Sequence, residues 1–153
     1  MTAGIAEMDE SRCEQRFDYG TQMNADDADF KYKELTETVI QAFYRVYNKL
    51  GYGFLEKVYE NAFMIELGKA GMSAVSQFPI RVMYDGEIIG EYFADILVDN
   101  KVIIEIKAAK QSAKEHEAQL LNYLRATDIE VGLLVNFGVK PEIKRKAFSN
   151  LRK

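Results

Sequence analysis

The sequence predicts an α/β or α+β domain with helices packed against one mixed sheet. Two changes of hydrophobic period lead to this prediction. Apolar residues first recur at helical spacing, and then crowd into stretches rich in Val, Ile, Phe and Tyr. Helical spacing returns afterwards and is followed by another short apolar run. The resulting order is helix, helix, three strands, helix, strand and helix, which indicates a four-stranded sheet.

Two predicted helices precede the strands. Over residues 33–50 the apolar side chains recur at helical spacing, and the "GYG" at residues 51–53 ends this helix. A second stretch with the same spacing covers about residues 55–70, and Gly71 follows it. We therefore expect two successive helices before the first strand.

The first strands form a predicted meander over residues 75–108. The dipeptide Asp85-Gly86 separates two apolar runs and is a strong signal for a hairpin turn. Asp99-Asn100 gives a second, weaker turn signal. Three antiparallel strands joined by these two turns are therefore expected.

The remaining elements complete the predicted sheet. Helical spacing covers residues 112–126, and residues 131–138 form a nearly continuous apolar run, as expected for a strand covered on both faces. We expect a last helix from Pro141 to about Leu151, because proline is tolerated in a first helical turn.

The N-terminal segment differs from the rest of the chain in composition. Residues 1–29 are polar and carry eight acidic residues and two arginines, a net charge of −6. The whole chain has a net charge of −4, so the remaining residues carry +2. This composition indicates a disordered acidic arm, followed by a single domain over residues 30–153. The chain is basic after Lys140, and such an end can contact phosphates, although a solvated amphipathic helix is the simpler interpretation.

The composition also excludes several classes of protein. No apolar run approaches the roughly 20 residues that a membrane-spanning helix needs, and the N-terminus lacks the pattern of a signal peptide. The single cysteine, Cys13, excludes an internal disulfide and a cysteine-based zinc site. We expect a cytoplasmic protein with no membrane partner.

Charged residues interrupt the predicted third strand, "KVIIEIKA". Side chains alternate across a strand, so Ile103, Glu105 and Lys107 share one face, with Glu105 and Lys107 about 7 Å apart. The apolar residues around them indicate a central strand, where a sheltered carboxylate needs a partner.

Asp95, in the preceding strand, is a candidate neighbour of Glu105. Pairing about the second turn brings the two positions close, although the sequence leaves the register open. Two adjacent carboxylates repel each other, and Mg²⁺ is bound through one or two carboxylates while keeping several waters. Ordinary cross-strand pairing of polar residues on a half-exposed face explains the same pattern.

Two helices carry further candidates. His116, Gln119 and Tyr123 are spaced at i, i+3 and i+7 and therefore lie on one face of their helix. A row of polar residues at the boundary with solvent has the same spacing. Glu56 lies in a first helical turn, where an acid interacts favourably with the helix dipole whether or not it also contacts a metal.

These residues coincide with known motifs. Asp95 followed by Glu105-Ile106-Lys107 resembles the PD-(D/E)XK motif of the restriction-endonuclease-like nuclease superfamily. The segment from Gln119 to Tyr123 is similar to the Q-x-x-x-Y motif of its RecB-like and phage-exonuclease-like branches.

A smaller family in that superfamily, called GxxExxxxR, resembles most of the chain. The similarity rests on four segments in order, "GYGFLEKVYENAF", "ADILVDNKVIIEIKA", "EAQLLNYLRA" and "GLLVNFG". Its name motif begins at Gly53 with Glu56, but Asn61 stands where the final arginine belongs. Ala94 replaces the proline of the PD motif.

The resemblance implies a restriction-endonuclease-like core in the order αβββαβ and a Mg²⁺- or Mn²⁺-dependent nuclease acting on DNA. It implies metal ligation by Glu56, Asp95, Glu105 and the Ile106 carbonyl, catalysis by Lys107 with Asp95, Glu105 and Gln119, and substrate contacts by Gln119 and Tyr123. His116, on the same helix face, is a further candidate for a substrate contact.

Two other classes of function stay open at the level of sequence. One is a nucleic-acid-binding or accessory module that keeps the nuclease fold without turnover. The other is an interaction protein whose acidic arm contacts a partner. The sequence also leaves the oligomeric state open, with a homodimer among the alternatives.

Overall fold

The computed structural model describes residues 31–153, so the predicted acidic arm, residues 1–29, lies outside the described residues. The elements follow in the order α1 (Lys33–Leu50), α2 (Glu56–Lys69), β1 (Ala74–Tyr84), β2 (Glu87–Val98), β3 (Val102–Lys107), α3 (Lys114–Arg125), β4 (Val131–Phe137), β5 (Pro141–Ala147) and a 3-10 turn at Asn150–Arg152. Within residues 31–153, no helix is both long and apolar enough to cross a bilayer.

The five strands of residues 31–153 form one mixed sheet in the order β1-β2-β3-β4-β5. Strands β1, β2 and β3 are antiparallel neighbours and form the expected meander. Strand β4 lies parallel to β3, because α3 carries the chain back across the sheet between them. The predicted mixed α+β fold is therefore confirmed.

Both predicted turns adopt left-handed backbone conformations. Asp85 and Gly86 have φ values of 51° and 81°, and Asp99 and Asn100 have φ values of 51° and 60°. Asp85-Gly86 is a two-residue turn, and turns of this kind match the right-handed twist of the strands that they join. The second turn spans three residues, 99–101, between the paired Val98 and Val102. Asp, Asn and Gly tolerate these conformations better than other residues, which explains why the turn signals were informative.

The last element corrects the sequence-based expectation. The predicted helix from Pro141 to about Leu151 is wrong, because Pro141–Ala147 form a fifth strand that pairs with β4. Without β5, the outer edge of the fully buried β4 would leave its backbone groups unpaired. Lys144 and Lys146 point to α3, where both pair with Glu117, at 2.7 and 2.8 Å.

The core forms two layers, one on each face of the sheet. On one face, α1 and α2 pack through Phe43 and Phe63 against residues that include Ile104. On the other face, α3 packs through Leu120 against residues that include Ile103. Neighbouring residues of β3 thus serve opposite layers, as strand alternation requires.

Phe137 is the centre of an aromatic cluster that fixes the start of α2. Its ring lies 4.2 Å from the ring of Tyr59 in a stacked arrangement and 4.6 Å from that of Phe43. The Tyr59 hydroxyl donates to the Gly51 carbonyl at 2.7 Å and accepts from the Phe54 amide at 3.2 Å. The loop before α2 is therefore tied to the core.

Hydrogen bonds and a close backbone contact also fix the chain that follows β3. The fully buried Asn136 accepts from the Ala109 amide at 2.9 Å and donates to the Ala109 carbonyl at 3.0 Å. Gly138 lies directly against the same carbonyl, where a Cβ atom would overlap the oxygen. Two residues of the β4 end thus fix the loop after Lys107.

We predict opposite effects from alanine at two glycines. Gly138→Ala should lower the free energy of unfolding by about 1–3 kcal/mol, because its methyl group must displace the Ala109 carbonyl. Gly68→Ala, in α2 with no heavy atom within 4 Å of the added Cβ, should raise it by about 0.5–1 kcal/mol. Urea unfolding measures both changes. Equal changes in the free energy of unfolding would contradict the close contact between Gly138 and the Ala109 carbonyl.

Candidate active site

The candidate site lies where β2 and β3 separate. Backbone pairing between these strands covers three residue pairs and ends at Ile96 and Ile104. At the next position the side chains replace the backbone ladder. The Asp95 amide donates to Glu105 Oε2 at 3.0 Å, and the Ile106 amide donates to Asp95 Oδ2 at 2.8 Å. Each carboxylate is thus held by an amide from the opposite strand.

Burial places both carboxyl groups in an unfavourable setting for charge. Glu105 is only 5% exposed, and burial, followed by the negative charge of Asp95, raises the pKa of Glu105 to about 8. Burial also raises the pKa of Asp95; the Ile106 amide opposes this change and the charge of Glu60 reinforces it. With a pKa of about 8, Glu105 therefore holds its proton near neutral pH in the metal-free protein.

Helix α2 brings two more acids to this pair. Glu56 is the exposed first residue of α2, and its charge contributes, after burial and Asp95, to the raised pKa of Glu105. Glu60, one turn later, is 4% exposed and accepts from Lys57 at 3.2 Å and from Gln77 at 3.1 Å.

Glu60 was missed at the level of sequence. Its separation of four residues from Glu56 is the one signal that could have found it, because such residues share a helix face. Its burial and its bond to Gln77 of β1, which has a φ of 56°, depend on tertiary packing.

Helix α3 approaches the pair from the other face of the sheet. The Gln119 side-chain amide donates to the Tyr123 hydroxyl at 2.6 Å. Tyr123 is 5% exposed, and burial followed by the charge of Glu105 raises the pKa of its hydroxyl. His116 lies in the first turn of α3, where its Nδ1 accepts from the Ala113 amide at 3.4 Å, a contact that stabilises the helix start.

Lys107 ends β3 two residues after Glu105, and its positive charge acts on both carboxyl groups. Burial dominates their raised pKa values, and the Lys107 ammonium opposes that rise at Asp95 and at Glu105. The parallel pairing of Lys107 with Asn136 places it next to the fixed loop after β3. The predicted Asp95, Glu105 and Lys107 thus converge. The charge of Glu56 adds to the raised pKa of both carboxyl groups, and the charges of both carboxylates add to the raised pKa of Tyr123.

A divalent cation fits this donor set. Within residues 31–153, no three His, Cys, Asp or Glu side chains are close enough together to hold a metal ion. Two carboxylates and a nearby backbone carbonyl nevertheless suit Mg²⁺, which retains several waters when it binds. The raised pKa of Glu105 reflects an acidic pair that a cation would neutralise.

A family comparison agrees with this geometry. The sequence profile of the PD-(D/E)XK nuclease superfamily matches residues 33–146. The chain belongs to the PD-(D/E)XK nuclease superfamily. The PD-(D/E)XK match covers every element from α1 to β5 except the last residue of β5, and it includes all the candidate residues above.

A solved structure shares the fold of this chain. The crystal structure of SSO0001 resembles this chain with a TM-score of 0.50 at 18% sequence identity. The similarity covers 61% of this chain and 50% of SSO0001, so this chain spans about half the length of that protein. No curated protein sequence gives a significant match.

The buried pair should make the stability of the metal-free protein depend on pH. Glu105 binds its proton more tightly in the folded state, with a pKa of about 8 against an ordinary 4.5, so unfolding releases protons between these values. The free energy of unfolding should therefore fall as pH rises through this window, by up to about 1.4 kcal/mol per pH unit.

Urea unfolding in a chelating buffer from pH 5 to pH 8 measures this dependence. Glu105→Gln should flatten it, because the amide does not titrate. The exposed Glu87→Gln should follow the wild-type profile. Parallel profiles for Glu105→Gln and the wild-type protein would show that Glu105 does not carry the effect.

Proposed function

We propose that this protein is a Mg²⁺- or Mn²⁺-dependent nuclease that hydrolyses phosphodiester bonds in DNA. Membership of the PD-(D/E)XK superfamily suggests a nuclease-type function. The observation that supports the finer proposal lies where the sheet opens: the Glu105 carboxylate accepts from the Asp95 amide, and the Asp95 carboxylate accepts from the Ile106 amide. Within the superfamily, we propose membership of the GxxExxxxR family with a Q-x-x-x-Y motif.

The proposed metal ligands are Asp95, Glu105 and the Ile106 carbonyl, with Glu56 of α2 joining directly or through water. A bound divalent cation would lower the pKa of water and offset negative charge on the phosphate. The protein holds the two carboxylates in place through backbone amides, so little rearrangement is needed before binding.

Lys107 acts on the attacking water and on the phosphate in this proposal. Its ammonium is a mobile point charge with three donors, which suits it to orient water and stabilise an anion. Gln119 and Tyr123 form one hydrogen-bonded unit beside Glu105, and we propose that they contact the phosphate or hold the carboxylate in position. His116, bound to the start of α3, is a candidate contact farther along the substrate.

Cleavage assays test the proposed function. The wild-type protein should cleave DNA in the presence of Mn²⁺, and Glu105→Gln or Lys107→Ala should lower the rate by roughly 100-fold or more. Glu87→Gln, which changes an exposed carboxylate of the same hairpin, is the matched control and should keep the wild-type rate. A rate that survives both site substitutions would show that the cleavage comes from elsewhere.

Metal binding gives an independent test. Isothermal titration with Mn²⁺ should show binding that Asp95→Asn weakens at least tenfold, because it removes a charged oxygen ligand. Binding near pH 7 should release protons, since Glu105 has a pKa of about 8 in the metal-free protein. Unchanged Mn²⁺ affinity in Asp95→Asn would contradict the proposed ligand set.

Two observations favour a second candidate, a nucleic-acid-binding module without turnover. In the part of the chain that the structure describes, no three potential metal-ligating side chains gather tightly. Asn61 also replaces the arginine of the name motif. Salt-dependent DNA binding without cleavage, under conditions where Mn²⁺ binds, would support this candidate over the enzyme.

A further inference from the structure

We propose that Tyr92 is a stacking platform for an unpaired nucleobase beside the carboxylate pair. The inferred substrate is therefore a DNA single strand or a frayed end. This inference rests on the proposed function, because it assigns a substrate class to the same site. It follows from the position, orientation and surroundings of one exposed ring.

Tyr92 lies on β2, three residues before Asp95. It pairs with Ile80, which is buried in the layer that α3 covers. Tyr92 itself remains 47% exposed, because β2 extends beyond the end of its pairing with β3. A large aromatic ring is thus held at the open border of a packed layer.

Two neighbours fix the orientation of this ring. The Tyr92 ring lies 5.9 Å from that of Tyr123, at an angle of 43°. The ring also lies next to Gly90, where an added Cβ would be 3.3 Å from Tyr92 Cε2. Glycine at this position leaves the space that the ring occupies. The ring is therefore preorganised, which reduces the entropy lost when a base stacks on it.

The contact with Tyr123 connects Tyr92 to the candidate site. Tyr123 hydrogen-bonds to Gln119 and lies close enough to Glu105 for the carboxylate to raise its pKa, an effect second to burial. A nucleotide stacked on Tyr92 would therefore be next to the residues proposed to act on its phosphate. Stacking on aromatic side chains is largely independent of base identity.

The charge distribution indicates that base stacking contributes more to DNA binding than contacts between many basic side chains and phosphates. Residues 30–153 carry a net charge of only +2, and Arg81 of the hairpin already pairs with Glu91 at 3.3 Å. Exposed Lys110 and Lys114 follow Lys107 in the chain and suit a few phosphate contacts. Affinity for a single strand must then come partly from base stacking, and bases inside a duplex have no free face.

Binding measurements in Ca²⁺ test the inference independently of turnover. The probes are a short single-stranded oligonucleotide containing 2-aminopurine and a blunt duplex of the same sequence. Tyr92→Ala should weaken single-strand binding about tenfold or more and reduce the stacking quench, with little effect on the duplex. Tyr92→Phe should retain wild-type affinity, because it keeps the aromatic face.

Two further variants refine this test. Gly90→Ala should weaken single-strand binding by an intermediate factor, because its methyl group displaces the Tyr92 ring. Tyr84→Ala removes a 66% exposed tyrosine at the far end of the same hairpin and should bind like the wild-type protein. Thermal unfolding of each variant shows whether the fold is preserved.

Several outcomes would overturn the inference. These are unchanged single-strand binding in Tyr92→Ala, an equal loss in Tyr92→Phe, and absence of single-strand binding by the wild-type protein. A change of oligomeric state in Tyr92→Ala, measured by sedimentation, with DNA affinity unchanged would assign the ring to contact with a second copy of the chain. Tyr92-dependent binding without metal-dependent cleavage would instead preserve this inference and contradict the proposed nuclease.

Discussion

The site depends on two hydrogen bonds across the opening between β2 and β3. The Glu105 carboxylate accepts one from the Asp95 amide, and the Asp95 carboxylate accepts the other from the Ile106 amide. A β-ladder normally satisfies backbone amides with backbone carbonyls, and here two carboxylates take over that role. The strands can therefore separate without leaving the amides of Asp95 and Ile106 unpaired. The same bonds fix the carboxylates and give helices on both faces access to them.

The buried carboxyl pair that the proposed function needs also lowers the stability of the metal-free protein. Burial raises the pKa of both carboxyl groups, so the metal-free protein must tolerate a protonated or strained pair. Rigid surroundings compensate for this weakness. Phe137 and Tyr59 anchor the start of α2, and Asn136 anchors the loop after β3. Local instability at a site held by a rigid scaffold is common where a protein must bind a cation or a substrate.

Much of the fold and of the candidate site could be predicted from the sequence. The meander was predictable because Asp85-Gly86 and Asp99-Asn100 favour the left-handed conformations that its turns require. The convergence of Asp95 and Glu105 followed from pairing about the second turn. The last strand was not predictable from local pattern, because a short basic segment suits an exposed helix or an edge strand, and the unpaired edge of β4 decides between them.

The sequence by itself therefore determined the order of the elements up to β4, the two turns and the residue types that the site requires, since these depend on local backbone preferences and periodicity. Only the tertiary structure decided the fifth strand, the burial of Glu60 and the placement of Tyr92 against Tyr123. Those features arise from contacts between segments far apart in the chain. Burial and charge proximity are properties of such contacts, and they set the pKa of Glu105.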